Sequence, residues 1–306
     1  MRQSVVVAAV LLLAVAAIIY LQRPPARPSL FFEQSFDRAK WTARIESVGG
    51  EEAYREFKAA YGGDPNSHTA MHFIGDLLYR TLGLQGFSIC DDSFGYGCYH
   101  QYMMDMLQEQ GAARISDIEQ LCMEASTAVR GGCLHGVGHG LAEYYRTDLV
   151  VALRACEHLS GEYPTRICTD GVFMEHNVPT MTEVGATNRS VRQFDPKHPL
   201  APCDTTPMSF GHSCYFALPH LWFSEPDTTF EKIAARCASA PEDFRNDCYK
   251  GIGIDLPGTY SYDGPRIVAA CSEISAVEGE RLCLEESAQT LVSLSHDASV
   301  VRAALK

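Results

Sequence analysis

Residues 116–140 read SDIEQLCMEASTAVRGGCLHGVGHG, and this stretch decides the fold. Its first part has the apolar spacing of a helix, because Ile118 lies four residues before Cys122 and shares its helical face. Two glycines at 131–132 indicate a turn, and a second helix is predicted from Cys133 onward. The stretch therefore predicts an αα-hairpin with one cysteine in each of its two halves.

Twelve cysteines repeat this pattern as six consecutive pairs. The second cysteines follow one another at steps of 35, 35, 46, 34 and 35 residues, and such a period is typical of stacked helix–turn–helix units. A disulfide across each hairpin is the simplest pairing, although spacing alone leaves the connectivity open. The predicted disulfides are Cys90–Cys98, Cys122–Cys133, Cys156–Cys168, Cys203–Cys214, Cys237–Cys248 and Cys271–Cys283.

The predicted fold class is all-α, with about six or seven tandem αα-hairpins in a solenoid or a closed αα-toroid, as the period near 35 residues implies. The uncertainty in number comes from residues 51–82, a hairpin without cysteines in which Asn66 takes the place of the second cysteine. The 46-residue step contains an insertion, about 179–207, which we expect to be a long loop. The helical-repeat domain is predicted to cover residues 31–306.

Small residues stand three positions after the second cysteine of four hairpins. They are Gly136, Gly171, Ala217 and Gly251. A small side chain at a fixed place in successive helices allows their backbones to approach closely. We therefore expect the second helices to pack tightly on one another near their starts.

An unbroken apolar run from Ser4 to Leu21 precedes the repeats, and its 18 residues are just enough to span a bilayer as a helix. Residues 14–16, AVA, resemble a signal-peptidase site. We expect residues 1–22 to be an uncleaved signal anchor, with a cleaved signal peptide as the alternative, and residues 23–30 to be a Pro-rich stalk. Either way the body is exported to the periplasm or the cell exterior, and it is secreted if the signal is cleaved.

Histidines recur at matching positions of the second helices. His68-x-x-x-His72 and His135-x-x-x-His139 occupy the same aligned positions on helices two units apart. Residues four apart share a helix face, which is the usual way in which a helix offers two ligands to a metal. Neutral imidazole with carboxylate suits a divalent transition metal, namely Zn, Fe, Mn or Cu. The sequence predicts these four histidines as metal ligands.

The same stripe offers a further ligand or a general base. The candidates are His100, Asp170 and His220, and Glu143, Glu175 and Asp105 are further acidic candidates. Ten of the eleven histidines lie between residues 68 and 220, which favours a local site over a structural role in every unit. The structural alternative, in which these histidines cap helices or bond neighbouring carbonyls, stays open at this point.

The segment GCLHGVGHG, residues 132–140, resembles the glycine-flanked inner-helix starts of αα-toroid enzymes such as the lanthionine cyclases. The zinc thiolates that this resemblance implies would compete with the predicted disulfides, so that site is not carried over. The wider architecture is similar to that of disulfide-stapled Sel1-like repeat proteins, in which αα-hairpins present a concave binding face.

Charge and motifs narrow the function to two classes. A net charge of −13 argues against nucleic-acid binding, which needs a basic face. The first class is a membrane-anchored, extracytoplasmic repeat protein whose His- and carboxylate-lined inner face holds a divalent metal, with or without metal-dependent catalysis. The alternative is a scaffold of the cell envelope that binds a protein or peptide without catalysis. The expected partners are the membrane, through the N-terminal helix, and a protein or peptide.

Overall fold

A computed structural model describes residues 36–62, 67–146, 148–179 and 192–295. The predicted signal anchor at 1–22 and stalk at 23–30 lie outside these residues, as do residues 180–191 of the insertion. Within the described ranges the protein is all-helical, with thirteen α-helices and no strand. None of those thirteen helices combines the length and the apolar character that a membrane span requires.

The helices are, in chain order, α1 (Arg38–Val48), α2 (Gly50–Tyr61), α3 (Ser67–Leu82), α4 (Ser93–Gln110), α5 (Ile115–Glu124), α6 (Thr127–Tyr145), α7 (Leu149–Cys156), α8 (Glu162–Asn177), α9 (Gly211–Trp222), α10 (Phe230–Ser239), α11 (Glu242–Thr259), α12 (Gly264–Cys271) and α13 (Val277–Ser295). We refer to α3, α4, α6, α8, α9, α11 and α13 as the second helices, because they form the second half of each hairpin.

All six predicted disulfides are present, and no cysteine is free. Their Cα–Cα distances of 5.5–5.8 Å are ordinary for disulfides. Each closes a loop of 8 to 12 residues, which restricts the unfolded chain and stabilises the fold by on the order of 2–3 kcal/mol per bridge. Six disulfides indicate an oxidising environment, either extracytoplasmic or secreted.

Two hairpins have no α-helix in their first half, contrary to the expectation of regular αα-hairpins. Cys90 follows a 3-10 helix at Gly83–Ile89, and Cys203 lies in turns within the described part of the insertion. The remaining first cysteines lie in or at the end of α5, α7, α10 and α12. A disulfide therefore joins a second helix either to another α-helix or to a segment that is not α-helical.

The second helices begin earlier than predicted. Helix α6 begins at Thr127, so the glycines at 131–132 lie inside the helix and the predicted turn there is wrong. A Cβ at Gly132 would collide with the ring of Tyr96 on α4. These glycines therefore serve the approach of neighbouring helices, whereas the sequence pattern had suggested a chain reversal.

Close packing of the second helices, predicted from small residues near their starts, is confirmed. A Cβ at Gly136 would lie 2.9 Å from the carbonyl oxygen of Tyr99 on α4, and one at Gly171 would collide with the carbonyl oxygen of His135 on α6. Such distances are shorter than real Cβ contacts, so only glycine permits these backbones to approach so closely. Side chains near these glycines are consequently brought together across helices.

The second helices pack on one another in chain order: α3 on α4, α4 on α6, α6 on α8, α8 on α9, α9 on α11 and α11 on α13. The last of them, α13, also packs on α4, where Leu294 Cδ2 lies 2.9 Å from the Cβ position of Gly95. This order places α3, α4 and α6 side by side, and the predicted histidine ligands lie on α3 and α6.

Candidate metal centre

Five histidines from three neighbouring second helices meet at one place. They are His68 and His72 on α3, His100 on α4, and His135 and His139 on α6. The ring of His100 lies in the middle, with centroid distances between 4.9 and 5.7 Å to the other four rings. The structure thus brings together all four predicted ligands and one predicted catalytic residue.

Local sequence explains why these side chains converge. The i,i+4 spacing puts each pair on one helix face. On α4, a Cβ at Gly97 would lie 2.5 Å from the carbonyl oxygen of His68, so glycine lets α4 reach α3 at this height. Gly136 does the same between α6 and α4, directly after His135. The three helices are therefore close enough at this height for imidazoles of different helices to touch.

The pair on α6 is held from behind by fixed acceptors. His139 Nδ1 lies 2.9 Å from Glu175 Oε2, and both side chains are buried. A carboxylate only accepts, so Nδ1 carries the hydrogen and donates it. The ring of His135 hydrogen-bonds the backbone of Ile167, and this bond favours the protonated ring, so the ring is again the donor. Glu175 was an acidic candidate from sequence, and here it orients a histidine.

The other two nitrogens of this pair face each other. His135 Nε2 and His139 Nε2 are 3.0 Å apart. A neutral imidazole has one hydrogen, and His139 donates its hydrogen to Glu175 while His135 donates its hydrogen to the backbone of Ile167, so in the neutral state both Nε2 atoms present lone pairs. Two acceptors at this distance repel each other unless a cation lies between them. The arrangement therefore calls for a proton or a metal ion.

The pair on α3 has nearly the same dimensions. His68 Nε2 and His72 Nε2 are 3.1 Å apart, and His68 Nδ1 donates to the carbonyl oxygen of Phe94 at 2.7 Å. The hydrogen of neutral His68 is thereby on Nδ1, and its Nε2 is free to accept a ligand bond. His72 is buried and His68 is half-buried.

Burial favours the neutral form, which metals need, in three of the five rings. It lowers the pKa of His68, and it lowers the pKa of His100 and His135 well below the ordinary value. For His100 and His135, the next cause is repulsion from a charge on His139. Since metals bind the neutral imidazole, His68, His100 and His135 offer ligands that at neutral pH need not lose a proton first.

The distances between donor atoms suit a small cation. The donor nitrogens of His68, His72 and His100 lie within 4.8 Å of one another, and so do those of His100, His135 and His139. With Zn–N bonds of 2.0–2.1 Å, two ligands of one ion are about 2.9 Å apart at a right angle and about 3.3 Å apart in a tetrahedron. The pair distances of 3.0 and 3.1 Å fall in this interval. Each set of three histidines could hold a metal ion.

No family model matches this chain, and neither a curated protein nor a solved structure does. What the site can do therefore has to be derived from its own geometry.

His220, a predicted catalytic residue, is oriented by a carboxylate in the same way as His139. Its Nδ1 donates to Asp255 Oδ1 at 2.7 Å, and its Nε2 is buried with no hydrogen-bond partner among the described residues. A charge on His220 also lowers the pKa of both His68 and His135, so these rings lie within its electrostatic reach. The role of His220 as a further ligand or as a general base of the centre stays a prediction.

Asp170, the third predicted catalytic residue, belongs to an ion-pair network. Arg166, four residues earlier on the same face of α8, donates Nε–H to its Oδ1 at 3.0 Å. The same guanidinium reaches Asp247 Oδ1 at 3.1 Å, and His212 Nδ1 donates to the other oxygen of Asp247 at 2.7 Å. Asp170 is not among the clustered metal donors found in the described ranges. Its geometry favours a structural role.

Replacement of Asp170 is expected to change the pH dependence of stability. Burial raises the pKa of Asp170 to about 6, although Arg166 favours the charged form. The unfolded pKa is about 3.9, so the folded carboxyl holds its proton more tightly, and its ionisation weakens the fold as pH rises from about 4 through 6. The free energy of unfolding of Asp170→Asn, taken relative to that of the native protein, should therefore rise by roughly 2 kcal/mol between pH 4 and pH 7. Urea unfolding with intact disulfides measures this difference, and a difference independent of pH would contradict it.

Sequence reasoning missed Asp255, although a signal for it exists. The histidine–carboxylate pairs His139–Glu175 and His220–Asp255 join residues 36 and 35 positions apart, close to one repeat. Each carboxylate stands seven residues after its own second cysteine and reaches the preceding second helix. A search for acids one repeat beyond each histidine would have found both.

Proposed function

We propose that this chain is an extracytoplasmic metalloprotein, in which His100, His135 and His139 hold a divalent transition-metal ion. The observation that carries the proposal is the pair of Nε2 acceptors 3.0 Å apart, whose hydrogens are both committed elsewhere. A proton shared by the pair is the competing explanation. Burial lowers the pKa of His135 well below normal, which disfavours a proton on that ring and favours a metal ion between the two nitrogens.

The ligand set favours a reactive ion over a structural one. Closed structural zinc sites have four protein ligands, whereas three histidines leave a position for water or substrate. His135 is only half-buried, so small molecules can approach its side of the ring cluster. A metal in such a site supplies Lewis acidity and lowers the pKa of bound water. We therefore propose metal-dependent catalysis, with His220 as the base that Asp255 orients.

Hydrogen-bond acceptors behind the histidines support the same proposal. Metal-bound histidines commonly donate their second nitrogen to a carboxylate or a backbone carbonyl, which fixes the ring and strengthens the ligand. The carboxylate of Glu175 accepts from His139, and the backbone carbonyl of Phe94 accepts from His68.

The arrangement of the chain is proposed as a closed αα-toroid of seven hairpins. The packing of α13 on α4 supports closure, because an open solenoid would leave its last helix far from those near its beginning. The centre would then lie on the inner face, between α3, α4 and α6. We further propose that residues 1–22 tether this body to the membrane, with the metal centre on the extracytoplasmic side.

Loss of one half-buried ligand tests the metal centre. His135→Ala should reduce the metal content of the reconstituted chain, whereas His158→Ala, at an exposed histidine outside the cluster, should leave it unchanged. The metal content is measured by elemental analysis after dialysis against a weak chelator. Equal metal content in both variants would contradict the proposal. Absence of metal from the native protein would favour the alternative, a scaffold that binds a protein or peptide of the envelope.

A further inference from the structure

We infer that the centre holds two metal ions, with His100 as the ring that both ions share. The first ion is that of the proposed function, on His135 and His139, and this inference rests on it. The second ion lies on His68 and His72. Both sets of three histidines that bring their donor atoms together include His100.

The same pair of histidines, four residues apart, occurs at corresponding positions of two second helices. His68 and His135 hold corresponding positions in their helices, two residues after the second cysteine or its equivalent, and His72 and His139 follow four residues later. The two distances between Nε2 atoms, 3.1 and 3.0 Å, both lie between the separations of about 2.9 and about 3.3 Å that two nitrogen ligands of one zinc ion can have. The first histidine of each pair is half-buried, and the second is buried. Whatever cation suits one pair therefore suits the other.

His100 is placed between the two chelates. Its ring centroid is 5.3 and 5.7 Å from those of His68 and His72, and 5.2 and 4.9 Å from those of His135 and His139. An imidazole has nitrogens on two edges, so a ring in this position can offer one to each side. No other described histidine belongs to both donor sets.

The bare nitrogen of His100 also points to a shared ligand. His100 Nδ1 is buried and has no hydrogen-bond partner in the described parts of the chain. A buried polar atom without a partner is costly, so native proteins seldom leave one without a reason. A metal ion on each nitrogen satisfies both edges of the ring.

The proton balance of this arrangement is simple. Neutral His100 has one N–H, and that proton must leave when the second nitrogen binds a metal. It passes to the buffer, and the resulting imidazolate carries one negative charge between two dications. Glu175, bonded to His139, adds a carboxylate next to the cluster. Binding of the second ion should therefore release one proton that binding of the first does not.

Copper(II) provides a direct test on the full-length chain purified from an oxidising compartment. We expect two Cu²⁺ per chain by elemental analysis, with an electron paramagnetic resonance signal well below two spins because the shared imidazolate couples the ions. His68→Ala should hold one ion and give a full signal of one spin. The control His158→Ala should behave as the native protein does.

The outcomes separate this inference from the proposed function. One ion per chain in the native protein, unchanged in His68→Ala, would overturn the second site and leave the first intact. Two ions with a full two-spin signal would overturn the shared role of His100. No bound ion would overturn both. The stoichiometry and spin count of the native protein need no variant, so the test stands even if His68→Ala folds poorly.

Discussion

Gly138→Ala is expected to destabilise the protein by about 4 kcal/mol or more, the range of severe core substitutions. A Cβ at this position on α6 would collide with the carbonyl oxygen of Cys168 and would lie 2.8 Å from the amide nitrogen of Val172, both on α8. These are backbone atoms, which cannot move aside as a flexible side chain does, so the helices would have to separate. Equilibrium unfolding in guanidinium chloride, with the disulfides intact, measures the loss.

Gly258→Ala is the matched control. This glycine lies near the end of α11, and nothing occupies the space within 4 Å of its Cβ position. Alanine is the better helix former by about 0.8–1.0 kcal/mol, so this variant should be neutral or slightly more stable. Equal stability of the Gly138→Ala and Gly258→Ala variants would mean that α6 and α8 do not approach as closely as described.

Removal of the metal is expected to lower the melting temperature by about 10 °C. An ion bound at a thousand times its dissociation constant stabilises the folded state by about 4 kcal/mol, and each kcal/mol shifts the midpoint by about 2–4 °C in a domain of roughly this size. The helices should remain folded without the ion because the six disulfides stay closed. Calorimetry with and without EDTA measures the shift.

His139→Ala isolates the contribution of the centre to this shift. Its ring is buried and bonded to Glu175, so the variant loses a ligand and some packing. Its melting temperature should be lower than that of the native protein without metal, and EDTA should lower it by less than it lowers that of the native protein. A full shift of about 10 °C in this variant would mean that the stabilising ion lies elsewhere.

The covalent framework could be predicted from sequence because its signal is regular. Even parity, similar spacing within the pairs and a period near 35 residues favour one simple pairing, and that pairing is the one observed. The convergence of His68, His72, His135 and His139 could be predicted for the same reason, since helical spacing and repeat alignment act together. Both signals come from repetition, which needs no knowledge of distant contacts.

The remaining features depend on contacts that the sequence pattern indicates only in part. The glycines at 131–132 read as a turn, but they are helical because Tyr96 packs on Gly132. Asp170 matched the histidine stripe, yet Arg166 one turn away pairs with it. Asp255 was missed because its partner His220 is on another helix.

X-ray absorption at the metal edge of the reconstituted protein tests the central claim most directly. The account predicts nitrogen ligands at about 2.0–2.1 Å for zinc, with the outer-shell pattern of imidazole rings. Sulfur at about 2.3 Å would contradict it, because that distance would place the metal on cysteine thiolates that the structure has closed into disulfides.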